Sequence, residues 1–286
     1  MPELPEVETV RRGLEPHMAG RRILSAEARR PDLRWPLPLD LNAKLAGRQV
    51  VKLDRRAKYI LAVLDDGQTI ILHLGMTGRL LVRQALETWA PGDFYNEIAP
   101  DNAHDHVIIR MDGADIVFND VRRFGSLHLA AAGDLENHFL INKLGPEPLG
   151  NEFSGPSLWE SLKGRKTPIK SALLDQTCVA GLGNIYVCEG LHRSGISPRR
   201  KAASIGAARA EKLAAEIKTV LAEAIRYGGS TLKDFAHADG QSGGFQERFL
   251  VYAREGAACE KPGCGGVVSR IVQSGRSTFF CGACQR

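Results

Sequence analysis

Four cysteines in the last 28 residues have the spacing of a metal site. Four residues separate Cys259 from Cys264, two separate Cys281 from Cys284, and 16 residues lie between the pairs. Two close cysteine pairs flanking such a loop are typical of a tetrahedral zinc site with four thiolate ligands. The alternative is two disulfides, which a reducing cytoplasm disfavours. Because four thiolates fill the coordination sphere, we predict one structural zinc ion with no position open for catalysis.

The segment between the cysteine pairs reads as a two-stranded hairpin, "VVSRIV", "QSGR" and "STFF". A lone hairpin is marginal in water, so a metal that ties its base can fold it. Arg276 falls at or just after the tip of the hairpin, where its guanidinium could bind a phosphate. A solvated arginine in a turn is an equally good interpretation of this segment alone. Cys178 and Cys188 have no metal-like spacing and are predicted to be buried small apolar residues.

A second candidate anion site lies in "VAGLGNIYVCE", where a glycine-containing turn precedes a predicted helix that Asn184 would cap. Backbone N–H groups at a helix start favour an anion such as a DNA phosphate, and glycines let a strand approach closely. A tight turn between two helices is the simpler alternative for these residues alone.

The distribution of charge points to a polyanionic partner for the second half of the chain. The 286 residues carry a net charge of +5. Residues 1–162 hold 19 Lys/Arg and 23 Asp/Glu, whereas residues 163–286 hold 19 and 10. The excess of cations in the second half suits nucleic acid, although an uneven spread of surface lysines would give the same numbers. No apolar run approaches membrane-spanning length and no signal peptide is evident, so we expect a cytoplasmic protein.

The elements that must position these residues change character near residue 133. A short helix over 5–15, ended by Pro16 and Gly20, precedes runs rich in Val, Ile and Leu split by "DDG", "MTG" and "DG" turns. Because helical crossovers are lacking between these runs, they predict an antiparallel β-sandwich. Helices dominate afterwards, including one predicted at "TPIKSALLDQ" with Thr167 as its cap and the longest over 204–227. The chain is thus predicted to be an α+β protein with a β-sandwich domain (1–133), a linker and helical domain (134–256) and a zinc finger (257–286).

Taken together, these segments resemble the formamidopyrimidine-DNA glycosylases, bacterial base-excision repair enzymes. The resemblance runs from end to end and includes a helical domain with a helix–two-turns–helix motif. Leu4 after Glu3 favours the oxidised-purine branch over the related endonuclease VIII branch, which typically has glycine there. The matching motifs, in the family's order, are "MPELPEVETVRRGLEPH", "RRAKYI", "HLGMTGRL", "HDHV", "RRFG", "LGPEPL", "KTPIKSALLDQ", "VAGLGNIYVCE", "GGSTLKDF" and the four-cysteine finger.

The resemblance implies that Met1 is removed and that Pro2 becomes the nucleophile. A terminal amine is less basic than lysine, so more of it is unprotonated at neutral pH. The iminium that a secondary amine forms with the sugar has no N–H to lose, so it stays cationic and promotes elimination. The resemblance further implies that Glu3 and Lys58 act as general acids and bases and that Arg276 assists at the phosphate. A solvated lysine at a strand edge is the alternative for Lys58.

The resemblance also supplies the expected DNA contacts. Excision requires the base to leave the stack, and side chains must fill the space it vacates. For Met76 and Phe124, core packing is the alternative that composition alone favours. The residues implied to contact the DNA backbone are His104, Arg123, Arg165, Lys166 and Asn184, and those implied to form the wedge are Met76, Arg122 and Phe124. The glycine-rich segment "ADGQSGGFQERF" corresponds to the loop that covers the flipped base.

The expected function is that of a monomeric, bifunctional DNA glycosylase and AP lyase. It would excise 8-oxoguanine and formamidopyrimidines from double-stranded DNA through a Pro2 Schiff base and cleave the strand by β,δ-elimination, also at abasic sites. One alternative is the same chemistry with a preference for oxidised pyrimidines. Another is a zinc-dependent protein that binds damaged DNA without catalysis; such a protein has no reason to hold Pro2, Glu3 and Lys58 together.

Overall fold

The computed structural model describes residues 1–84, 87–89, 103–230 and 244–286. The chain divides into two compact units. The first comprises Met1–Asn142 and Tyr227–Gly244, and the second comprises Lys143–Arg226 and Phe245–Arg286. Half of the predicted base-covering segment, residues 238–243, lies outside the described residues. Within the described part of the chain, no helix is long and apolar enough to cross a membrane.

The first unit is built from antiparallel strands and a long N-terminal helix. Its elements in chain order are α1 (Leu4–Met18), β1 (Ile23–Ala28), α2 (Leu41–Leu45), β2 (Val50–Arg56), β3 (Tyr59–Leu64), β4 (Thr69–His73), β5 (Gly78–Gln84), β6 (Glu87–Trp89), β7 (Asp105–Met111), β8 (Ala114–Asp120) and β9 (Ser126–Ala130). One sheet has the order β1-β7-β8-β5-β6 and the other the order β2-β3-β4-β9, with every pairing antiparallel. The predicted antiparallel sandwich is confirmed.

Helix α1 packs its apolar face into the core of the sandwich. Val7, Val10 and Leu14 are buried in the same cluster as Ile60 and Phe118 of the two sheets. Their spacing of three and four residues places them on one face of the helix.

The predicted end of this helix was wrong, because α1 continues through Pro16 to Met18. A proline removes one backbone N–H donor, but here it lies in the last turn, where little helix remains to disrupt. The bond from the Ala19 N–H to the Glu15 carbonyl, 2.9 Å, closes that turn.

The second unit is helical and ends in a hairpin. Its elements are α3 (Gly155–Leu162), α4 (Ile169–Leu174), α5 (Asn184–Ser194), α6 (Ala207–Arg226), β10 (Val268–Gln273) and β11 (Arg276–Cys281). The long helix α6 packs against α3 and α5, and α5 also contacts β11. Helix α6 begins three residues later than predicted, because Ser204 belongs to a separate short 3-10 turn over Ala202–Ser204.

Two predicted helix caps were each misplaced by one residue. Pro168 rather than Thr167 precedes α4, and Gly183 rather than Asn184 precedes α5. Both preceding residues have non-helical backbone angles, whereas Asn184 is already helical. The side chain of Asn184 is therefore available for a contact outside its own helix.

Candidate active site and metal centre

The N-terminal residues are held in a buried position at the start of α1. Pro2 is buried and Glu3 is 3% exposed. The Glu3 N–H donates to Oε2 of Glu6 at 2.9 Å, and Oε1 of Glu6 accepts from the N–H and hydroxyl of Ser230 at 2.8 and 3.0 Å. The buried Glu6 carboxylate thus fixes the first turn of α1 and joins it to the residue that follows Gly229. Sequence reasoning missed this role, although a glutamate three positions after a helix cap is a known capping signal.

A charge cluster attaches α1 to strand β2. The carboxylate of Glu8 pairs with Arg11 at 3.2 Å, with Arg12 at 2.8 Å and with Arg55 of β2 at 3.1 Å. Arg11 also donates to the Leu53 carbonyl at 3.1 Å. Burial opposes ionisation of Glu8, but the hydrogen bonds and positive charges of these arginines hold its pKa below the ordinary value. Charged Glu8 therefore fixes the position of α1 on the sheet.

Lys58 follows this attachment point directly. It lies in the turn between β2 and β3, next to Ala57, whose φ of +54° is in the left-handed region. Arg55 donates to the Ala57 carbonyl at 2.9 Å and so supports the turn. Lys58 is 7% exposed, so the alternative of a solvated lysine at a strand edge is wrong.

A cavity of about 390 Å³ opens beside the N-terminus in the first unit. The residues that line it include two of the predicted wedge residues. They are Met1, Arg34, His73, Gly75, Met76 and Phe124. The cavity is a candidate site for a sugar or base close to the Pro2 end of the chain.

His73 is neutral in this cavity. Burial, and then the positive charges of Lys58 and Arg34, lower the pKa of His73 to about 4. Its Nδ1 accepts a hydrogen bond from the Gly75 N–H at 3.1 Å, which places the ring proton on Nε2. His73 is thus an N–H donor that carries no charge at neutral pH. Sequence reasoning did not single it out, although it stands in the quoted "HLGMTGRL".

The low pKa of His73 predicts a specific loss of stability in acid. Unfolding returns the pKa to about 6.5, so the unfolded chain binds more protons between about pH 6.5 and 4. Neutral His73 therefore imposes no loss of folding free energy above about pH 6.5, and the free energy of unfolding decreases as the pH falls through this window. Urea unfolding of the first unit measures this effect. Between pH 7 and 4, we expect the free energy of unfolding to fall by about 1–3 kcal/mol less in His73→Gln than in the wild type. The pKa of His128 is also about 4, because of burial and the charge of His138. His128 should therefore account for a separate part of the fall in the free energy of unfolding. A His73→Gln protein with the wild-type pH slope would contradict the assignment.

The predicted wedge residues are exposed on two neighbouring loops. Met76 and Phe124 are 38% and 41% exposed, so the core-packing alternative is wrong for both. The guanidinium carbon of Arg122 lies 4.7 Å from the centroid of the Phe124 ring, a cation–π distance. These side chains are thus presented outward from the sandwich.

The buried Asp120 carboxylate ties the two wedge loops together. It accepts from the Thr77 hydroxyl at 2.5 Å, from the Gly125 N–H at 2.7 Å and from the Arg122 N–H at 3.3 Å. Gly75 allows the loops to approach, because a Cβ at this position would lie 2.3 Å from the Phe124 carbonyl carbon. Its φ of +62° also favours glycine.

The four C-terminal cysteines are positioned to bind one zinc ion. All four Sγ atoms lie within 4.8 Å of one another. The distances are 3.9 Å between Cys259 and Cys284 and 3.6 Å between Cys264 and Cys281. Tetrahedral zinc with Zn–S bonds of about 2.3 Å requires S–S distances of about 3.8 Å, so the set fits. All six cysteines are free, so the two-disulfide alternative is wrong, and Cys178 and Cys188 are buried as predicted.

The zinc hairpin is attached to the helices beside Arg276. Arg276 begins β11 after a two-residue turn and is exposed. The next carbonyl, that of Ser277, accepts from Nζ of Lys170 at 3.0 Å and from Nδ2 of Asn184 at 2.9 Å. The fully buried Lys170 also donates to the Thr278 hydroxyl at 2.6 Å. Sequence reasoning assigned no role to Lys170, and it placed the Asn184 amide on DNA rather than on the hairpin.

The other predicted DNA contacts are distributed over both units. In the first unit, Arg123 is exposed and His104 is partly exposed. In the second unit, Lys166 is exposed, whereas Arg165 pairs with Asp175 at 2.7 Å. The hydrogen bond to Asp175 raises the pKa of Arg165, so this guanidinium already has an internal partner. Contact of these residues with DNA stays a prediction.

Comparison with known proteins places these features in one family. Family sequence profiles match residues 1–127 (formamidopyrimidine-DNA glycosylase N-terminal domain), 144–236 (its H2TH domain) and 259–286 (zinc finger found in FPG and IleRS). Formamidopyrimidine-DNA glycosylases of Dinoroseobacter shibae and Caulobacter vibrioides are 55% and 54% identical, with complete coverage of both chains. The chain belongs to the formamidopyrimidine-DNA glycosylase family.

Solved structures of formamidopyrimidine-DNA glycosylases agree with this assignment. The Lactococcus lactis enzyme in complex with DNA containing an abasic site has a TM-score of 0.86 and 34% identity, with complete coverage of both chains. The Thermus thermophilus protein has a TM-score of 0.83 and 40% identity over 99% of this chain and 98% of that one. The predicted family, the α+β fold with its helix–two-turns–helix region and the zinc finger are therefore confirmed.

Proposed function

We propose that this chain excises oxidised purines, such as 8-oxoguanine and formamidopyrimidines, from double-stranded DNA and cleaves the strand at the resulting abasic site. The observation that carries this proposal is the buried Pro2–Glu3 start of α1, beside a cavity lined by Met76 and Phe124. Family membership supports the same activity. A Lactococcus lactis relative has been solved as a mutant with DNA containing Fapy-dG.

Pro2 is the proposed nucleophile once Met1 has been removed. Its amine lone pair forms a bond to C1′ of the damaged nucleotide as the glycosidic bond breaks, and the base leaves with a proton. Opening of the sugar ring gives an iminium ion. Loss of a 2′ proton then expels the 3′ phosphate, and loss of a 4′ proton expels the 5′ phosphate. One residue thereby accounts for both excision and strand cleavage.

Glu3 and Lys58 are the proposed proton-transfer groups. Glu3 adjoins the nucleophile in sequence. Glu3 and Lys58 are 3% and 7% exposed, and this burial keeps water from competing with them in proton transfer. Arg276 is proposed to stabilise the departing phosphate. Bound zinc would supply no reaction step, because four thiolates leave no coordination position open. Its role would be to hold the hairpin that carries Arg276. The proposed contacts to the DNA backbone are His104, Arg123, Arg165, Lys166 and Asn184, and the proposed wedge is Met76, Arg122 and Phe124.

We further propose that the enzyme acts as a monomer in the cytoplasm, associated with the nucleoid through DNA. The proposed functional division is a catalytic sandwich domain (1–133), a linker and helical DNA-binding domain (134–256) and the zinc finger (257–286). Residues 163–286, which cover the zinc finger and most of the helical domain, carry a net excess of nine cations, and this excess supports a role for that region in DNA binding.

Borohydride trapping on a duplex with 8-oxoguanine opposite cytosine tests the proposal. We expect a covalent protein–DNA adduct that maps to Pro2, in protein whose intact mass shows loss of Met1. Pro2→Ala keeps a primary amine at the terminus and serves as a comparison for the secondary amine. An adduct only with oxidised pyrimidines would replace the substrate assignment. Tight binding of both lesion types without any adduct, by zinc-loaded protein lacking Met1, would refute the catalytic function.

A further inference from the structure

His192 contacts the zinc-binding cysteines from helix α5. It lies near the end of this helix and is 2% exposed. Its Nε2 is 3.3 Å from Sγ of Cys259 and 3.8 Å from Sγ of Cys284. All three residues belong to the second unit. A buried imidazole at this distance from two zinc ligands requires a chemical account.

The position of the ring proton follows from the neighbours of the two nitrogens. A zinc-bound thiolate has no proton, so it can only accept a hydrogen bond. Nε2 must therefore carry the proton if the short contact to Cys259 is favourable. Nδ1 is buried and has no hydrogen-bond partner in the part of the chain that the structure describes. In the other tautomer, an N–H without a partner would be buried at Nδ1, and the Nε2 lone pair would face the thiolate lone pairs. The Nε2–H tautomer costs less, because its N–H has a charged acceptor and only a lone pair is left unpaired at Nδ1.

We propose that His192 is a positioning residue of the metal centre, whose Nε2–H donates a hydrogen bond to the Cys259 thiolate and holds this ligand in its zinc-binding orientation. Cys259 needs such a restraint more than Cys281 does. Cys259 begins the longer pair, with four intervening residues, and is partly exposed. Cys281 is fully buried, whereas the backbone N–H groups of both residues are hydrogen-bonded at 2.8 Å, that of Cys259 to the Gly266 carbonyl and that of Cys281 to Oε1 of Gln285.

This contact also gives α5 a second attachment to the zinc finger. At the start of the helix, Asn184 donates to the Ser277 carbonyl, next to Arg276 at the hairpin tip. His192 reaches the metal end of the finger eight residues later, about 12 Å along the helix axis. The helix therefore contacts both ends of the finger, and loss of His192 should loosen the metal end selectively.

The test compares His192→Phe with His192→Gln in the full, zinc-loaded chain. Phenylalanine keeps a ring in the site but has no donor, whereas the glutamine amide can place an N–H near the position of Nε2. Glu216→Gln is the matched control, because Glu216 lines the same cavity of about 330 Å³ as His192. Zinc release to a colorimetric chelator is measured for each protein. The cobalt-substituted proteins are examined for the energy of the thiolate-to-cobalt charge-transfer band.

We expect His192→Phe to lose zinc about 10-fold to 100-fold faster, while His192→Gln and Glu216→Gln stay close to the wild type. The charge-transfer band should move to lower energy in His192→Phe alone, because a hydrogen bond stabilises the thiolate electrons. Wild-type zinc retention and band energy in His192→Phe would overturn the proposal. Equally faster zinc release in His192→Phe and His192→Gln, without a shift of the charge-transfer band, would also overturn the proposal. That result would mean that His192 acts through packing and not through a hydrogen bond.

A measurement on the wild-type protein covers the case in which His192→Phe fails to fold. In the chain loaded with NMR-active cadmium, the Nε2 proton of His192 should show scalar coupling to the metal through the Cys259 sulfur. An assigned Nε2 resonance without such coupling, or a ring protonated only on Nδ1, would contradict the hydrogen bond.

Discussion

A preparation of this chain that retains Met1 is expected to form no borohydride-trapped adduct and to leave DNA containing 8-oxoguanine uncut. In such protein the Pro2 nitrogen is an amide, whose lone pair is delocalised into the carbonyl and cannot attack a sugar carbon. Met1 also lines the 390 Å³ cavity beside the N-terminus, so it occupies space that a nucleotide would need. We expect excision and cleavage to fall by about 10³-fold or more, as for removal of other catalytic nucleophiles.

The experiment uses one fusion protein processed in two ways. Proteolysis directly before Met1 gives the blocked chain, and proteolysis directly before Pro2 gives the free secondary amine. Mobility-shift titration on an abasic-site analogue should show that both forms bind DNA within a few-fold of each other, because the basic second half is unchanged. Full cleavage by protein whose intact mass shows Met1 would mean that another residue is the nucleophile.

The features predicted well from the sequence are those set by local spacing. The cysteine pairs fix a zinc site because the ligands of each pair stand within a few residues of each other. The apolar runs split by glycine turns predict antiparallel pairing because short turns join neighbouring strands. The outward presentation of Met76 and Phe124 could not be obtained in this way, since both are hydrophobic and composition favours the core. Only the resemblance to the family indicated it.

The residues that sequence reasoning missed act through distant partners. Glu6 and Ser230 are 224 positions apart, and Lys170 and Thr278 are 108 positions apart. No periodicity in the sequence links such residues. The sequence alone therefore cannot distinguish a buried glutamate or lysine with a distant partner from a solvent-exposed one. Asn184 shows the same limit, because its position next to a glycine turn suggested a cap or a phosphate contact while its amide donates to Ser277.

Replacement of Cys281 by serine is expected to release the zinc ion and unfold the C-terminal hairpin. The two strands β10 and β11 bury few large side chains, among them Val268 and Phe280. A two-stranded hairpin is marginal in water, whereas a structural zinc site contributes about 10–16 kcal/mol of apparent binding energy. A serine hydroxyl is a much weaker zinc ligand than a thiolate. Burial opposes ionisation of Cys281, but hydrogen bonds from the backbone N–H groups of Cys284 and Ala283 and from the Cys264 thiol lower its pKa to about 7.

Unfolding should be confined to the finger and its contacts with the helices. Metal analysis should give close to zero zinc per chain, and hydrogen exchange should show loss of protection in β10 and β11. Protection should persist in the first unit, whose core includes α1 and both sheets. Cys178→Ser replaces a buried cysteine outside the metal site and should keep zinc and protection. Retention of stoichiometric zinc in Cys281→Ser would contradict the four-thiolate site.

Activity distinguishes the structural role of zinc from the chemistry of Arg276. Arg276→Ala should keep zinc and hairpin protection, because the Arg276 side chain is exposed and the hairpin is attached through Ser277 and Thr278. On abasic-site DNA it should slow the final elimination while the Pro2 adduct still forms. Cys281→Ser should instead reduce DNA binding as well, since the turn that carries Arg276 loses its support from Lys170 and Asn184. Equal defects in the two variants, with the hairpin intact in both, would show that zinc contributes no more to activity than this one guanidinium.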